Sequence, residues 1–209
     1  MTEPVLSTLD EPTIVLIQLA AAIAGGDERS VRDAFAAAAP LVPPRWMEEL
    51  VLQSYLFSGF PRALNAAREW RRVSPELAPQ GEDASDYRQV DLWRERGEAT
   101  CAAVYGDMYE RLRQNVRQLH PALDAWMVVE GYGKVLGRPG LDLARRELCV
   151  VAACAASGQE RQLHSHLHGA LNVGVSPETL RQAVDALLPA LGAERVRSIH
   201  HLLARVVGK

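Results

Sequence analysis

Two polar residues stand out because each lies within an apolar segment that has the periodicity of a helix. Glu147 is the conspicuous carboxylate of the apolar segment 141–157, and His166 follows nineteen residues later, between Leu163 and Ala170. Helical spacing places His166 on the side of its segment that should meet the preceding helix. A carboxylate next to an imidazole can orient the ring and exchange its proton, so the pair predicts general acid–base chemistry. A histidine buried only for packing explains His166 equally well.

Two further histidines, His164 and His168, flank His166 in the same segment. Alternate residues on a helix point about 200° apart, so the three rings cannot converge on one metal ion. His164 and His168 share one face and could supply half of a zinc site, but the sequence offers no evident third ligand. We therefore expect no bound metal, and we expect these two histidines on a solvated face.

The elements that position these residues are predicted to be helices, so the expected fold class is all-α. Hydrophobic residues make up 48% of the chain but aromatic residues only 6%, and alanine is abundant, which favours packed helices over sheets. No alternation of apolar and polar residues is long enough to predict a strand. Apolar periodicity, glycines and prolines predict helices over residues 13–24, 30–39, 43–58, 61–73, 86–119 (with a possible break near Gly106), 122–135, 141–157, 159–172, 176–191 and 193–207.

An internal repeat organises these helices. A shift of 133 residues superposes landmarks of the first part of the chain on landmarks of the last part: Gly25 on Gly158, Pro44 on Pro177, Gly59 on Gly192 and Arg62 on Arg195. Shared glycine and proline positions predict that one helical unit occurs twice, in residues 13–73 and 146–207. The predicted organisation is a degenerate first repeat at residues 1–75, a linker at 76–91 and a complete helical domain at 92–209.

Charge and cysteine content exclude several classes of protein. The formal net charge is −3 and no long basic block is present, so we expect no nucleic-acid partner. The cysteines are sparse and odd in number, which favours a reducing compartment over a disulfide framework: Cys101, Cys149 and Cys154. The N-terminal sequence lacks the basic and apolar regions of a signal peptide, and the apolar run 14–24 is too short to span a bilayer. A cytoplasmic protein that does not bind membranes is therefore expected.

Residues 97–207 resemble carboxymuconolactone decarboxylases. The resemblance runs through the sequences VYGDMYERLRQNV, at 104–116, GRPGLDLARREL, at 137–148, and HSHLHGALNVGVSPETL, at 164–180. The first copy, through WMEELVLQSYLFSGFPRALNAA at 46–67, is similar to the last two helices of the same family. The wider superfamily includes the alkylhydroperoxidase D-like proteins. The resemblance implies two copies of the alkylhydroperoxidase D-like helical repeat, packed as one unit.

The superfamily motif is a Glu, a Cys-x-x-Cys pair twelve residues later and a His four residues after the second Cys. By this resemblance Glu147 and His166 take the Glu and His positions, whereas Gln159 and Gln162 replace the cysteines. A thiol peroxidase needs one thiolate to attack peroxide and a second thiol to resolve the sulfenic acid, and glutamine can do neither. Thiol peroxidase activity is therefore disfavoured.

Cys149 and Cys154 do not replace that pair. Five residues along a helix separate two side chains by about 140° around its axis, which is too far apart for a disulfide. We expect both cysteines to serve in core packing.

The decarboxylase branch of the family implies a lyase that needs no thiol, metal or organic cofactor. Its reaction removes carbon dioxide from a small carboxylated lactone, so the site must stabilise an enolate oxygen and deliver a proton to carbon. On this resemblance His166 is the candidate acid and Glu147 its partner, while Gln159 and Gln162 could donate hydrogen bonds to substrate oxygens. A cationic anchor for the substrate carboxylates is also expected, and the sequence does not choose among three arginines: Arg138, Arg145 and Arg146.

The alternative is a non-catalytic ligand-binding or assembly protein that keeps the fold. The offset of 133 residues places Ile14 opposite Glu147 and Asp33 opposite His166, so the first copy has no acid–histidine pair and is expected to be structural. Members of the family form rings of small subunits. A chain that holds two copies is therefore expected to form a homo-oligomer, with a trimer that mimics a hexamer favoured.

Overall fold

The computed structural model describes residues 6–75 and 86–208, and over these residues the fold is all-α, as predicted. The one β-type pairing among them is an isolated bridge between Leu6 and Val175. No helix in the described ranges is both long and apolar enough to cross a membrane. The helices are α1 (Glu11–Gly25), α2 (Glu28–Ala38), α3 (Pro44–Val73), α4 (Val90–Tyr105), α5 (Tyr109–Leu119), α6 (Pro121–Trp126), α7 (Leu143–Ala156), α8 (Glu160–Asn172), α9 (Pro177–Asp185) and α10 (Leu188–Val207).

Backbone contacts group the described residues into two compact units. The first contains 6–75 together with 140–208, and the second contains 86–139. Both copies of the predicted repeat lie in the first unit. Residues 76–85 of the predicted linker lie outside the described residues, and its last part is a short 3₁₀ turn, Tyr87–Gln89, followed by the start of α4. The predicted division at residues 75 and 92 stays a prediction.

The first unit is built around α1 and α7, which pack against each other. Both helices are rich in alanine, and their contact is close. A Cβ added to Gly25 would lie 3.0 Å from the carbonyl oxygen of Ala156. Side-chain caps start both helices, because Asp10 accepts a hydrogen bond from the amide of Thr13 and Asp142 accepts one from the amide of Arg145. The remaining helices of this unit pack around the α1–α7 pair.

Two glycines give α3 and α10 the same kink. Gly59 has φ 78° and ψ 161°, and Gly192 has φ 77° and ψ 163°. Arg62 donates to the carbonyl oxygens of Ile23 and Gly26, at the end of α1. Arg195 correspondingly donates to the carbonyl oxygen of Ala155, at the end of α7. These matching features support the predicted repeat, which remains a prediction at the level of the whole unit.

The second unit contains a π-helix that sequence periodicity does not reveal. The chain leaves α6 into the π-helix Met127–Leu136, where an ordinary helix is predicted over 122–135. This segment crosses α4 so closely that a Cβ on Gly97 or on Gly133 would collide with backbone of the opposite helix. The predicted break near Gly106 is present, since Gly106 has φ 52° and ends α4.

Candidate functional site

Helix α7 places Glu147 in the interior of the first unit. The side chain of Glu147 is 0% exposed, and the residues that follow it, from Leu148 to Ala155, are all buried. A carboxylate in such surroundings is stable only if its oxygens find donors, because burial removes the water that would otherwise solvate it.

Helix α8 brings His166 to that carboxylate. Gly158 adopts φ 70° between α7 and α8, a conformation that glycine reaches without strain, and the chain turns back there so that the two helices pack together. Nδ1 of His166 lies 2.8 Å from Oε2 of Glu147, and the histidine side chain is 5% exposed. The structure therefore joins the two residues that the sequence singled out in one buried hydrogen bond.

Phe57 of α3 completes the surroundings of the imidazole. Its ring meets the ring of His166 edge to face, with centroids 5.5 Å apart and an interplanar angle of 88°. Phe57 was not predicted to belong to the site. Phe57 lies in the segment 46–67 that resembles the family, two residues before the kink at Gly59, but nothing in the sequence distinguishes it from a core aromatic.

The second carboxylate oxygen of Glu147 differs from the first. Oε1 is buried and has no hydrogen-bond partner among the described residues. Leaving a buried acceptor unsatisfied costs about 1–3 kcal/mol, and more when the group is charged. Such a group in a native structure calls for an explanation, and a catalytic role is one. Oε1 can take up a proton or accept a hydrogen bond from a bound molecule.

Gln159 and Gln162 lie at the start of α8, and both are exposed. Gln159 precedes the helix, and its side-chain amide donates a 3.5 Å bond to the carbonyl oxygen of Ser157. Gln162 lies within α8, four residues before His166, and is therefore on the same side of the helix as His166. The predicted role of both glutamines in binding substrate stays a prediction.

His164 and His168 pack against each other at one face of α8. Their ring centroids are 4.9 Å apart, and both residues are half-buried rather than fully solvated. Within residues 6–75 and 86–208, no group of three or more His, Cys, Asp or Glu side chains is arranged to hold a metal ion.

The cysteines lie in the core of the structure. Cys101, Cys149 and Cys154 form no disulfide with one another, and each is exposed by 1% or less. Burial raises the pKa of Cys149 and of Cys154 to about 12, and for Cys154 the charge of Glu147 adds to the effect. Both groups are therefore thiols at neutral pH and cannot supply the thiolate that peroxidase chemistry requires.

Two of the three arginines considered as substrate anchors are engaged in the fold. Arg145 binds Asp142 at 2.8 Å and Asp10 at 3.0 Å. Its guanidinium also stacks over Trp46.

Arg146 is 0% exposed. It binds Glu49 at 2.7 Å and donates to the side-chain oxygen of Gln53 and to the carbonyl oxygen of Leu141. These contacts give both arginines structural partners, so neither is a good anchor for a substrate.

The equivalent positions of the first copy hold no acid–histidine pair. Ile14 is half-buried on α1, and Asp33 is exposed on α2. The chemistry that the pair supports is therefore confined to the second copy.

Comparison with known proteins finds a family match over the part of the chain that contains Glu147 and His166. Residues 121–204 match the family model described as the carboxymuconolactone decarboxylase family, and this match confirms the resemblance inferred from the sequence. The chain is also similar to a curated protein of Schizosaccharomyces pombe, Peroxisomal protein 2. The two are 29% identical over 150 residues, which cover 71% of this chain and 70% of that protein.

Proposed function

Because residues 121–204 match the carboxymuconolactone decarboxylase family, we propose that the chain is a cofactor-free lyase that decarboxylates a small carboxylated lactone. His166 is the proposed acid and Glu147 its partner. The observation that carries the proposal is the 2.8 Å hydrogen bond between these two side chains in a buried site, where the second oxygen of Glu147 has no partner in the described part of the chain.

The hydrogen bond determines which nitrogen of His166 can act. A carboxylate only accepts hydrogen bonds, so the proton between the two groups lies on Nδ1 of His166, and Nε2 is the nitrogen proposed to exchange a proton with substrate. In the protonated ring Nε2–H is the acid, and the carboxylate stabilises the positive charge. Phe57 packs against the imidazole and restricts its rotation.

The proposed step balances as a simple decarboxylation. The bond from the ring carbon to the departing carboxylate breaks, and its electron pair moves into the lactone carbonyl as an enolate. Nε2–H of His166 then delivers a proton to carbon, and the histidine regains one from solvent, with the free oxygen of Glu147 available to hold it in transit. Gln159 and Gln162 are proposed to donate hydrogen bonds to the substrate oxygens.

The test is an ultraviolet assay of lactone decarboxylation with wild-type protein and Glu147→Gln. The substitution keeps the shape of the side chain but removes its charge and its ability to take up a proton. General acid–base contributions are typically about 10²- to 10⁴-fold, so we expect a loss within that range. His164→Ala, a change to a half-buried histidine of the same helix, is the matched control and should retain the wild-type rate. Wild-type protein that leaves the lactone unchanged would contradict the proposal.

One observation favours a second candidate, a non-catalytic ligand-binding or assembly protein. Arg145 and Arg146 are already paired with the carboxylates of Asp10 and Glu49. In addition, the buried carboxylate of Glu147 repels an anionic substrate. A protein that binds the lactone without changing its spectrum would support this candidate. Thiol peroxidase activity stays disfavoured, since Gln159 and Gln162 stand at the positions of the cysteines.

The cellular location, the oligomeric state and the class of substrate are proposals as well. We propose a cytoplasmic homotrimer with a small-molecule substrate. The word peroxisomal in the name of the fission-yeast relative describes that protein.

A further inference from the structure

The last turns of α3 carry an open groove that is independent of the Glu147–His166 site. Its lining consists of Leu64, Ala67, Arg68, Arg71 and Arg72. Leu64 is 55% exposed, so the groove presents an apolar surface to solvent next to three guanidinium groups. Every charged residue of this lining is an arginine.

The carboxylates nearby do not balance these arginines. Glu69 is shared between two of them, with Arg32 at 2.9 Å and Arg72 at 2.5 Å. The hydrogen bond from Arg32, followed by that from Arg72, lowers the pKa of Glu69 and keeps it ionised. Arg68 donates only to the neutral side-chain oxygen of Asn65, at 3.2 Å. Among the described residues, the charge of Arg68 is therefore left without a carboxylate partner.

Arg71 supplies the most informative feature. Its Nη2 is held by Glu48 at 2.6 Å, whereas its Nη1 is buried and has no hydrogen-bond partner among the described residues. Arginines near the C-terminal end of a helix commonly offset the helix dipole, which accounts for the positive charge here. The dipole does not explain why Nη1 of Arg71 is buried without a hydrogen-bond partner among the described residues. The side chain of Arg71 is 30% exposed and forms part of the groove lining.

We propose that this groove binds a small amphipathic anion, with its carboxylate or phosphate on Arg68 and Arg71 and its apolar body against Leu64 and Ala67. Guanidinium groups suit such oxyanions because they donate two parallel hydrogen bonds. An anion with an apolar body uses both halves of the lining, whereas a bare anion or an uncharged apolar molecule uses one.

Calorimetric titration of the full chain with four probes tests this assignment. Octanoate and octyl phosphate carry both features, inorganic phosphate carries the anion alone, and octyl glucoside carries the apolar chain alone. We expect octanoate and octyl phosphate to bind at least about tenfold more tightly than inorganic phosphate, and octyl glucoside not to bind. Raising the salt concentration should weaken binding of the anions, because part of the groove is exposed.

Two variants locate the binding. Arg68→Gln removes an exposed charge whose hydrogen bond to Asn65 lies within its own helix, so the fold should be retained. Octanoate affinity should fall about tenfold, the size of one lost charge-assisted bond. Arg181→Gln, on α9, is the matched control, because Arg181 is also exposed and pairs only within its helix, and its affinity should equal that of wild type. Equal affinity in both variants, no binding to wild type, or inorganic phosphate bound as tightly as octanoate would each overturn the proposal.

Discussion

At the scale of single residues, Glu147 differs from the other buried carboxylates in what satisfies its oxygens. Glu49 is paired with Arg146, Glu69 with Arg32 and Arg72, and Asp124 with Arg113 and Arg117. Each of these carboxylates has a permanent cation. Glu147 has a histidine on one oxygen and no described partner on the other. An arginine keeps its proton, whereas an imidazole can act as an acid or a base, so among these buried carboxylates Glu147 has the partner suited to proton exchange.

The pair should contribute little to stability beyond what two apolar residues would supply. Replacing His166 with alanine leaves a buried carboxylate without its donor, which should lower the free energy of unfolding by about 3 kcal/mol. Replacing both residues, as Glu147→Leu with His166→Leu, removes the polar groups together and should recover most of that loss, but without activity. Urea unfolding of the three proteins measures this. A double variant less stable than His166→Ala would show that the pair is maintained for folding.

Cys149 and Cys154 should resist alkylation in the folded protein. With their pKa raised to about 12 by burial, both remain protonated at pH 8, and iodoacetamide reacts with thiolates. Mass spectrometry should find both residues unmodified in native protein and modified after unfolding in urea. Rapid labelling of either residue in native protein would contradict this account of the core.

The raised pKa values also predict a direction for stability. Unfolded cysteines lose their protons from about pH 9, the ordinary value, whereas the folded ones keep them until about pH 12. The free energy of unfolding should therefore fall as the pH rises through this window. Variants with Cys149→Ala and Cys154→Ala should show a smaller fall in the same urea titrations.

At the scale of elements, the kinks of α3 and α10 should require glycine because of its positive φ, and not because space for a side chain is lacking. The conformation of Gly59 and Gly192 is strained for any L residue, yet an added Cβ would meet nothing within 4 Å at Gly192 and only Pro61 at 3.7 Å from Gly59.

Gly59→Ala and Gly192→Ala should accordingly each cost about 1–3 kcal/mol of unfolding free energy, and by similar amounts. Gly131→Ala is a useful comparison, since Gly131 has an ordinary φ and its nearest atom is 4.0 Å from the added Cβ. Urea unfolding midpoints provide the measurement. Unchanged stability in Gly59→Ala would mean that the kink is not fixed by the backbone.

Apolar periodicity and the positions of glycine and proline predict the helices well. They do not predict features that depend on contacts between helices. The caps at Asp10, Asp142 and Ser176 follow from local chemistry, because each side chain bonds an amide three residues later. Gly59 was expected to end one helix before the next begins at residue 61, and the chain does leave helical geometry at Gly59. The π-helix Met127–Leu136 was missed because π-helices are rare and apolar periodicity over ten residues does not separate them from α-helices.

The candidate site was likewise predictable only where it depends on local sequence patterns. Glu147 and His166 could be paired from their types, their spacing and the helical turn between them. Phe57 could not, because its contact with His166 joins residues more than a hundred positions apart, and no pattern in the sequence records such a contact. The unsatisfied oxygen of Glu147 is likewise a property of the packed interior.

At the scale of the whole molecule, the two-copy hypothesis makes a prediction about assembly. A chain that contains two units of a ring-forming family should close a ring with three chains. Light scattering after size-exclusion chromatography should give three times the 22.9 kDa of one chain. A monomer or a hexamer of full chains would contradict this organisation, whatever the outcome of the activity assays.

The central claim is that His166 is the proton donor of a decarboxylase, and the rate of His166→Ala tests it most directly. Ultraviolet measurement of lactone decarboxylation should show a loss of about 10²- to 10⁴-fold relative to wild type. Added imidazole should restore part of the rate as its concentration rises, because it can occupy the vacated space and carry the proton, and a merely structural histidine would give no such recovery. A His166→Ala protein that turns over the lactone within twofold of the wild-type rate would contradict the account.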